Sequence, residues 1–214
     1  MDAEFWHKKW EKNELGFHEN KTNALLVENF SILSMHRSGR IFLPLCGKSL
    51  DIAWLLAQGY HVLGCELSHV AIEQLFTSLK IKPTRVKFNY IERFSAEHID
   101  IYVGDIFKLS SADIGNVDAV YDRAALVALP EHIRNNYVPH VIELTRSAPQ
   151  LLISYEYDQH VMNGPPFSVS NGEVRNRYQA DYQLSLLRSI SVPGGLRGKC
   201  AATENVWHLS SKLS

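Results

Sequence analysis

The clearest pattern of apolar and polar positions lies between residues 41 and 66. An apolar run at 41–45 leads into a glycine turn and a helical stretch at 51–58, and a second apolar run at 61–65 ends at Glu66. This order predicts a strand, a turn, a helix and a second strand followed by an acid. A carboxylate about 20 residues after such a turn is placed to hydrogen-bond a ribose hydroxyl. The segment therefore predicts a site for a nucleoside-bearing small molecule.

Apolar periodicity predicts the other elements of the chain. They are a leading helix, an irregular segment at 15–23, a helix to about residue 35, a helix at 70–79 with Ser68 as N-cap, a long hairpin at 85–107, a strand at 117–121, a helix at 131–145, a strand at 151–155 and an antiparallel pair at 182–192 and 203–209. We therefore predict a single α/β domain over residues 1–214, with parallel strands and an antiparallel finish. Residues 1–35 would form a helical lid segment and residues 40–214 the Rossmann-like core.

Composition narrows the class of protein. Of 214 residues, 45% are hydrophobic and 21% charged, as in ordinary globular domains, and the formal net charge is -1. That charge argues against a nucleic-acid partner, and the absence of a long apolar run argues against a membrane partner. The first residues lack the features of a secretory signal, and three scattered cysteines do not make a disulfide framework. We expect a cytoplasmic protein.

The turn after the first strand distinguishes between classes of nucleoside ligand. Dinucleotide-binding proteins use G-x-G-x-x-G to bring the backbone close to a pyrophosphate, whereas the turn from Leu45 to Ser49 contains only Gly47. The chain also has no G-x-x-x-x-G-K-[ST] segment, which excludes a P-loop. A nucleoside cofactor without phosphate fits better, and S-adenosylmethionine is the common one.

Acidic residues also follow the later strands. Asp105 comes after the third strand of the series, and Asp122-Arg123 follow the fourth. In open parallel sheets, ligands bind beyond the carboxyl ends of the strands. We therefore place Glu66 at the ribose diol, and Asp105 or the Ile106 amide at the adenine edge.

Ten histidines raise the question of a metal ion. They show no i, i+4 ligand pair on one helix face, and the cysteines are too few and too scattered for a zinc site. We expect no metal.

Several longer motifs resemble those of the thiopurine S-methyltransferase family, in its bacterial form. They are Phe17-His18, the segment from Leu43 to Ser49 with Asp51, the segment from Gly64 to Ser68, the segment from Tyr121 to Leu129, and Gly164-Pro165-Pro166-Phe167. Together they span about residues 5–170, and the tail beyond Ser170 matches more loosely. The resemblance implies a monomeric, class I S-adenosylmethionine-dependent methyltransferase. Its fold would be a mixed, mostly parallel seven-stranded sheet with helices on both faces.

The resemblance also implies roles for individual residues. The residues that would contact the cofactor are Trp10, Leu45, Glu66 and Arg123, with Gly47 in the turn and Asp105 and Ile106 at the adenine. The residues that would lie near the acceptor are Phe17, Pro166, Phe167 and, by a weaker alignment, Arg197. The reaction would be direct transfer of the methyl group to the sulfur of a thiopurine or related small thiol, with S-adenosylhomocysteine as product.

Such a transfer requires alignment and exclusion of water rather than a strong base, since acidic thiols are partly ionised near neutral pH. Arg123 and Arg197 are candidates for stabilising the thiolate, because a guanidinium stays charged. Two alternatives remain open at this point. The acceptor could be a selenium or tellurium species or another small nucleophile, or the protein could bind the cofactor without turnover.

Overall fold

The computed structural model describes residues 3–12 and 21–212, which form seven α-helices and nine β-strands. The helices are α1 (Ala3–Glu11), α2 (Ala24–Asn29), α3 (Leu50–Ala57), α4 (His69–Leu79), α5 (Ser111–Ile114), α6 (Glu131–Leu144) and α7 (Asn171–Tyr178). The strands are β1 (Arg40–Leu43), β2 (His61–Glu66), β3 (Thr84–Phe88), β4 (Ile91–Ala96), β5 (Ile99–Val103), β6 (Ala119–Arg123), β7 (Gln150–Tyr157), β8 (Tyr182–Ser191) and β9 (Ala202–Ser211). Short 3-10 helices occupy Phe30–Leu33, Ile106–Lys108 and Leu126–Ala128. The described residues group into two compact units, a first unit up to Asp118 and a second unit from Ala119 onward.

In the first unit, the strands lie in the order β3-β4-β5-β2-β1. β1 pairs with β2 and β2 with β5 in parallel, whereas β4 pairs antiparallel with both β3 and β5. All residues of β2 except His61 are buried, as expected of a parallel strand covered on both faces. The outer strand β3 is mostly exposed and carries Arg85 and Lys87. Charges of this kind discourage pairing with another chain.

In the second unit, the order is β6-β7-β9-β8. β6 pairs with β7 in parallel, and β9 pairs antiparallel with both β7 and β8. The antiparallel finish predicted from the sequence is therefore confirmed. The core of this sheet includes Trp207 of β9 and Tyr137 of α6, both completely buried.

The α/β class is confirmed, but the expected count of seven strands is wrong, since the described residues form nine. Strands β3 and β4 extend the sheet of the first unit in antiparallel fashion. The sequence predicted one hairpin over residues 85–107, whereas three strands occupy this stretch. Tight connections at 89–90 and 97–98 divide it, and Asn89 and His98 adopt positive φ there.

Helix α7 was not predicted. Its segment contains only two apolar side chains that are buried, Val174 and Tyr178, so the periodic signal is weak. The helix begins where the Ser170 side chain accepts a hydrogen bond from Glu173 N–H at 3.1 Å.

That residues 1–214 form a single domain stays a prediction. Among the described helices, none combines the length and apolar character needed to cross a membrane.

Candidate active site

The turn after β1 has a backbone that favours glycine. Leu45 and Gly47 both have positive φ, 46° and 52°. The turn is tied to β2, since Cys46 N–H donates to the Cys65 carbonyl at 3.0 Å. A Cβ atom at position 47 would lie 3.1 Å from Cζ2 of Trp10. The absence of a side chain at Gly47 thus lets the Trp10 ring approach the backbone of the turn.

Glu66, at the end of β2, fixes the other side of this turn. Its Oε2 accepts the Gly47 N–H and its Oε1 accepts the Ser68 N–H, each at 2.9 Å. Burial raises the pKa of the carboxyl group, and hydrogen bonds from the Ser68, Gly47 and Leu67 backbone oppose that rise. Each carboxylate oxygen has a further lone pair, so the group can still accept a bond from a ligand hydroxyl.

Trp10 is buried, with 3% of its surface exposed, although it lies on the first helix of the chain. Its indole ring contacts the glycine turn at Gly47. An aromatic face beside such a turn can attract a cationic ligand by a cation–π interaction.

Asp105 and Ile106 lie at the same edge of the sheet as Glu66. β2 and β5 are in parallel register with Glu66 opposite Val103, and Asp105 comes two residues later. The Asp105 side chain accepts the Phe107 N–H at 3.1 Å and so begins the 3-10 helix at Ile106–Lys108. Ile106 is 1% exposed. The first unit therefore brings together, at one edge, the predicted cofactor residues Trp10, Leu45, Gly47, Glu66, Asp105 and Ile106.

Sequence reasoning missed the role of Asp51. An acid in the first turn of a helix is favourable on local grounds alone, but the Asp51 side chain is buried and its Oδ1 accepts the Asn23 N–H at 2.8 Å. The Asn23 side chain in turn caps α2 by accepting the Leu25 and Leu26 N–H groups. Asp51 therefore attaches the start of α2 to the helix that follows the glycine turn. Its position in the motif shared with the family was the available signal.

Arg123 belongs to the second unit and is the last residue of β6, where it pairs in register with Ile153. The preceding residue, Asp122, is 1% exposed. Its Oδ1 accepts the Leu126 N–H at 3.1 Å and its Oδ2 accepts the Tyr137 hydroxyl at 2.7 Å. Both carboxylate oxygens are thus bound within the turn and to α6. Asp122 organises the turn that directly follows Arg123, a role that sequence reasoning did not assign.

Two of the predicted acceptor residues, Pro166 and Arg197, lie on loops of the second unit that are linked through Tyr157 and the residues packed around it. The Tyr157 hydroxyl donates to the Pro166 carbonyl at 2.6 Å, and the positive charge of Arg197 is close enough to oppose the raised pKa of Tyr157, which burial causes. Tyr157, Met162, Leu196 and Ala202 form a small apolar cluster between the two loops. Phe167 also lines an open groove of about 1020 Å³ with residues of α6 and α7. The third predicted acceptor residue, Phe17, lies outside the described residues.

Burial of Asp122 leads to a prediction about pH and stability. Desolvation raises its pKa from 3.8 to about 6, against hydrogen bonds from Tyr137, Leu126 and Ala125. Between these values the folded protein holds a proton that the unfolded chain has released. Asp122 therefore contributes on the order of 3 kcal/mol to the free energy of unfolding below about pH 4, and this contribution is lost as the pH rises through 6.

Urea unfolding of the wild type and Asp122→Asn at several pH values between 4 and 7.5 measures this effect. Asparagine does not titrate; its carbonyl oxygen can still accept the Leu126 N–H, and its amide can donate to the Tyr137 oxygen, which reverses the direction of that bond. The difference in unfolding free energy, wild type minus variant, should fall as the pH rises from 4 to 7.5. Parallel curves would show that Asp122 titrates as it does in the unfolded chain.

Comparison with known proteins identifies the family. The family model described as thiopurine S-methyltransferase (TPMT) matches residues 1–211. The chain belongs to the thiopurine S-methyltransferase family. A member from Teredinibacter turnerae is 50% identical over 214 residues, covering 100% of both chains. The resemblance drawn from the sequence motifs is confirmed.

Solved structures support the fold of the family. A SAM-dependent methyltransferase from Anabaena variabilis has a TM-score of 0.66 at 12% identity, covering 98% of this chain and 95% of its own. The 1,6-didemethyltoxoflavin-N1-methyltransferase of Burkholderia thailandensis, solved with S-adenosylhomocysteine bound, has a TM-score of 0.64 at 14% identity, covering 98% and 87%. The expected methyltransferase fold is confirmed.

Proposed function

We propose that this protein transfers the methyl group of S-adenosylmethionine to the sulfur of small aromatic or heterocyclic thiols, thiopurines among them. The observation that carries this proposal is the family match over residues 1–211. The S-adenosylhomocysteine bound to the Burkholderia structure supports the same cofactor. The product would be S-adenosylhomocysteine, and no metal would take part.

The edge of the first unit suits such a cofactor. Glu66 would accept the ribose hydroxyls with the lone pairs that Gly47 and Ser68 leave available. Trp10 would lie against the turn on the side of the sulfonium charge, where cation–π attraction contributes about 0.5–2 kcal/mol. The 3-10 helix that begins after Asp105 would hold the adenine through Ile106, and Arg123 would also contact the cofactor.

The acceptor would be held by the loops that carry Pro166, Phe167 and Arg197, together with Phe17. Bound S-adenosylmethionine supplies a methyl group on a cationic sulfur, so the thiolate sulfur forms the new C–S bond while the old one breaks. The chain's contribution would be to align the two sulfurs and exclude water, which is worth on the order of 7–11 kcal/mol in favourable cases. Arg123 or Arg197 would stabilise the thiolate before transfer.

We also propose that the protein is a cytoplasmic monomer. The three cysteines Cys46, Cys65 and Cys200 are free thiols, and burial raises the pKa of the first two well above the ordinary value. Unreactive thiols of this kind suit a reducing compartment and support a packing role for both.

The direct test is an assay of methyl transfer with purified protein. We expect S-adenosylhomocysteine and the S-methyl product to form from S-adenosylmethionine and 6-mercaptopurine. Thiosalicylate and selenite, assayed at the same cofactor concentration, compare other acceptor classes. Cofactor binding by calorimetry, without methylation of either thiol, would contradict the proposed acceptor class.

A further inference from the structure

The turn between β6 and α6 is shaped by one buried carboxylate. Asp122 accepts the Leu126 N–H through Oδ1 and the Tyr137 hydroxyl through Oδ2. Ala124, which lies between Asp122 and Leu126 in the chain, has φ of 74°, in the left-handed region that residues other than glycine rarely adopt. Such a conformation persists only where surrounding contacts hold it. The contacts of Asp122 supply that restraint immediately next to Arg123.

Helix α6 holds the turn at both ends. Tyr137 reaches Asp122 at the start, and Arg134, three residues earlier on the helix, donates from Nη1 to the Leu129 carbonyl at 2.8 Å. The Arg134 guanidinium is itself fixed by Glu173 of α7, through Nε at 2.8 Å and Nη2 at 3.1 Å. Residues three apart share a helix face, so one face of α6 secures the whole turn.

The loop Pro165–Phe167, in which we place acceptor contacts, is attached to the same turn. Phe167 N–H donates to the Val127 carbonyl at 2.6 Å, within the 3-10 helix Leu126–Ala128. The N–H that Asp122 accepts belongs to Leu126, the residue before Val127. A change in the Asp122 contact would therefore displace both the segment that presents Arg123 and the carbonyl that receives Phe167.

We propose that Asp122, through its bond to Tyr137, is a positioning residue that sets Arg123 and the Pro165–Phe167 loop together through one turn. The inference rests on the proposed function, since it takes Arg123 as a cofactor contact and Phe167 as an acceptor contact. Asp122 touches neither ligand. Its effect is to couple the two: disturbing one carboxylate weakens cofactor and acceptor binding at the same time.

The test compares two tyrosines that each lose one buried hydroxyl in the same unit. Tyr137→Phe removes the bond to Asp122. Tyr182→Phe removes bonds to Gln150 and Ala148, which lie at the amino end of β7, away from the turn. For each variant we would measure the melting temperature, the affinity for S-adenosylhomocysteine, and KM for S-adenosylmethionine and 6-mercaptopurine.

We expect Tyr137→Phe to raise both KM values and the S-adenosylhomocysteine Kd at least fivefold. Tyr182→Phe should lower the melting temperature about as much as Tyr137→Phe does, but it should leave both KM values and the S-adenosylhomocysteine Kd within twofold of wild type. Asp122→Asn can still accept the Leu126 N–H and can bond to Tyr137 in the reversed direction, with its amide donating to the tyrosine oxygen, so its KM and Kd values should stay within threefold of wild type. Asp122→Ala, if it folds, should exceed Tyr137→Phe in every effect.

Three outcomes would overturn the inference. The two tyrosine variants could show the same kinetic profile, Tyr137→Phe could change only stability, or it could raise one KM without the other. Failure of the proposed function looks different, because the wild type itself would methylate no thiol. In that case, unchanged S-adenosylhomocysteine affinity in Tyr137→Phe would still reject the positioning role.

Discussion

Glu66→Ala should reduce the affinity for S-adenosylhomocysteine by at least 100-fold. A carboxylate that accepts ribose hydroxyls makes charged hydrogen bonds, each worth about 1.5–3 kcal/mol. The substitution also leaves the Gly47 and Ser68 N–H groups without their acceptor, at a cost of about 1–3 kcal/mol of stability for each. Calorimetric titration with S-adenosylhomocysteine, alongside thermal unfolding, measures both effects.

The neighbouring Ser68 offers a matched control. Its side chain caps α4 by accepting the Ala71 N–H at 3.3 Å, whereas its contact with Glu66 is made by the backbone. Ser68→Ala should cost about 1 kcal/mol of stability and leave ligand affinity within twofold. If Glu66→Ala retained wild-type affinity, Glu66 would have no role at the ribose.

The second large effect is expected for Arg123→Ala. Removing a charge that contacts a bound ligand costs about 2–4 kcal/mol, so kcat/KM should fall roughly 30- to 1,000-fold. Arg123→Lys keeps the charge but not the planar fork of donors, and should recover only part of the loss. Steady-state kinetics with both substrates varied would separate an effect on cofactor binding from an effect on turnover.

Arg175→Ala controls for the loss of one positive charge in the same unit. Arg175 is exposed on α7, with its guanidinium over the Trp207 ring, 5.2 Å from the ring centre. This variant should keep the wild-type kcat/KM. Values within twofold of wild type for Arg123→Ala, in both binding and turnover, would reject the role proposed for Arg123.

The parts of the site that follow one another along the chain were predictable. A turn, a helix and a strand that ends at Glu66 are encoded within residues 41–66, and periodicity identifies each of them. The structure adds the hydrogen bond that joins the two ends, from Gly47 N–H to Glu66. Ser68 as the N-cap of α4 was also correct, because capping depends on residues only three apart.

Contacts between distant residues were less accessible. Asp51 bonds to Asn23, 28 residues away, and Asp122 bonds to Tyr137, 15 residues away. A single acid at a helix start or strand end has a sufficient local explanation, so neither pattern pointed to a distant partner. The resemblance assigned Trp10 to the cofactor, but its contact with Gly47 was not predicted, since the periodicity of α1 does not specify what its buried side contacts.

The small apolar cluster around Tyr157 has a consequence for how acceptor preference changes during evolution. Because the loops that carry Pro166 and Arg197 share Met162, Leu196 and Ala202, a substitution that reshapes one loop alters the packing of the other. Members of the family that accept bulkier or smaller thiols should therefore differ in pairs of residues, one from each loop. A graft of a single loop from such a relative should transfer the new preference poorly, whereas a graft of both should transfer it.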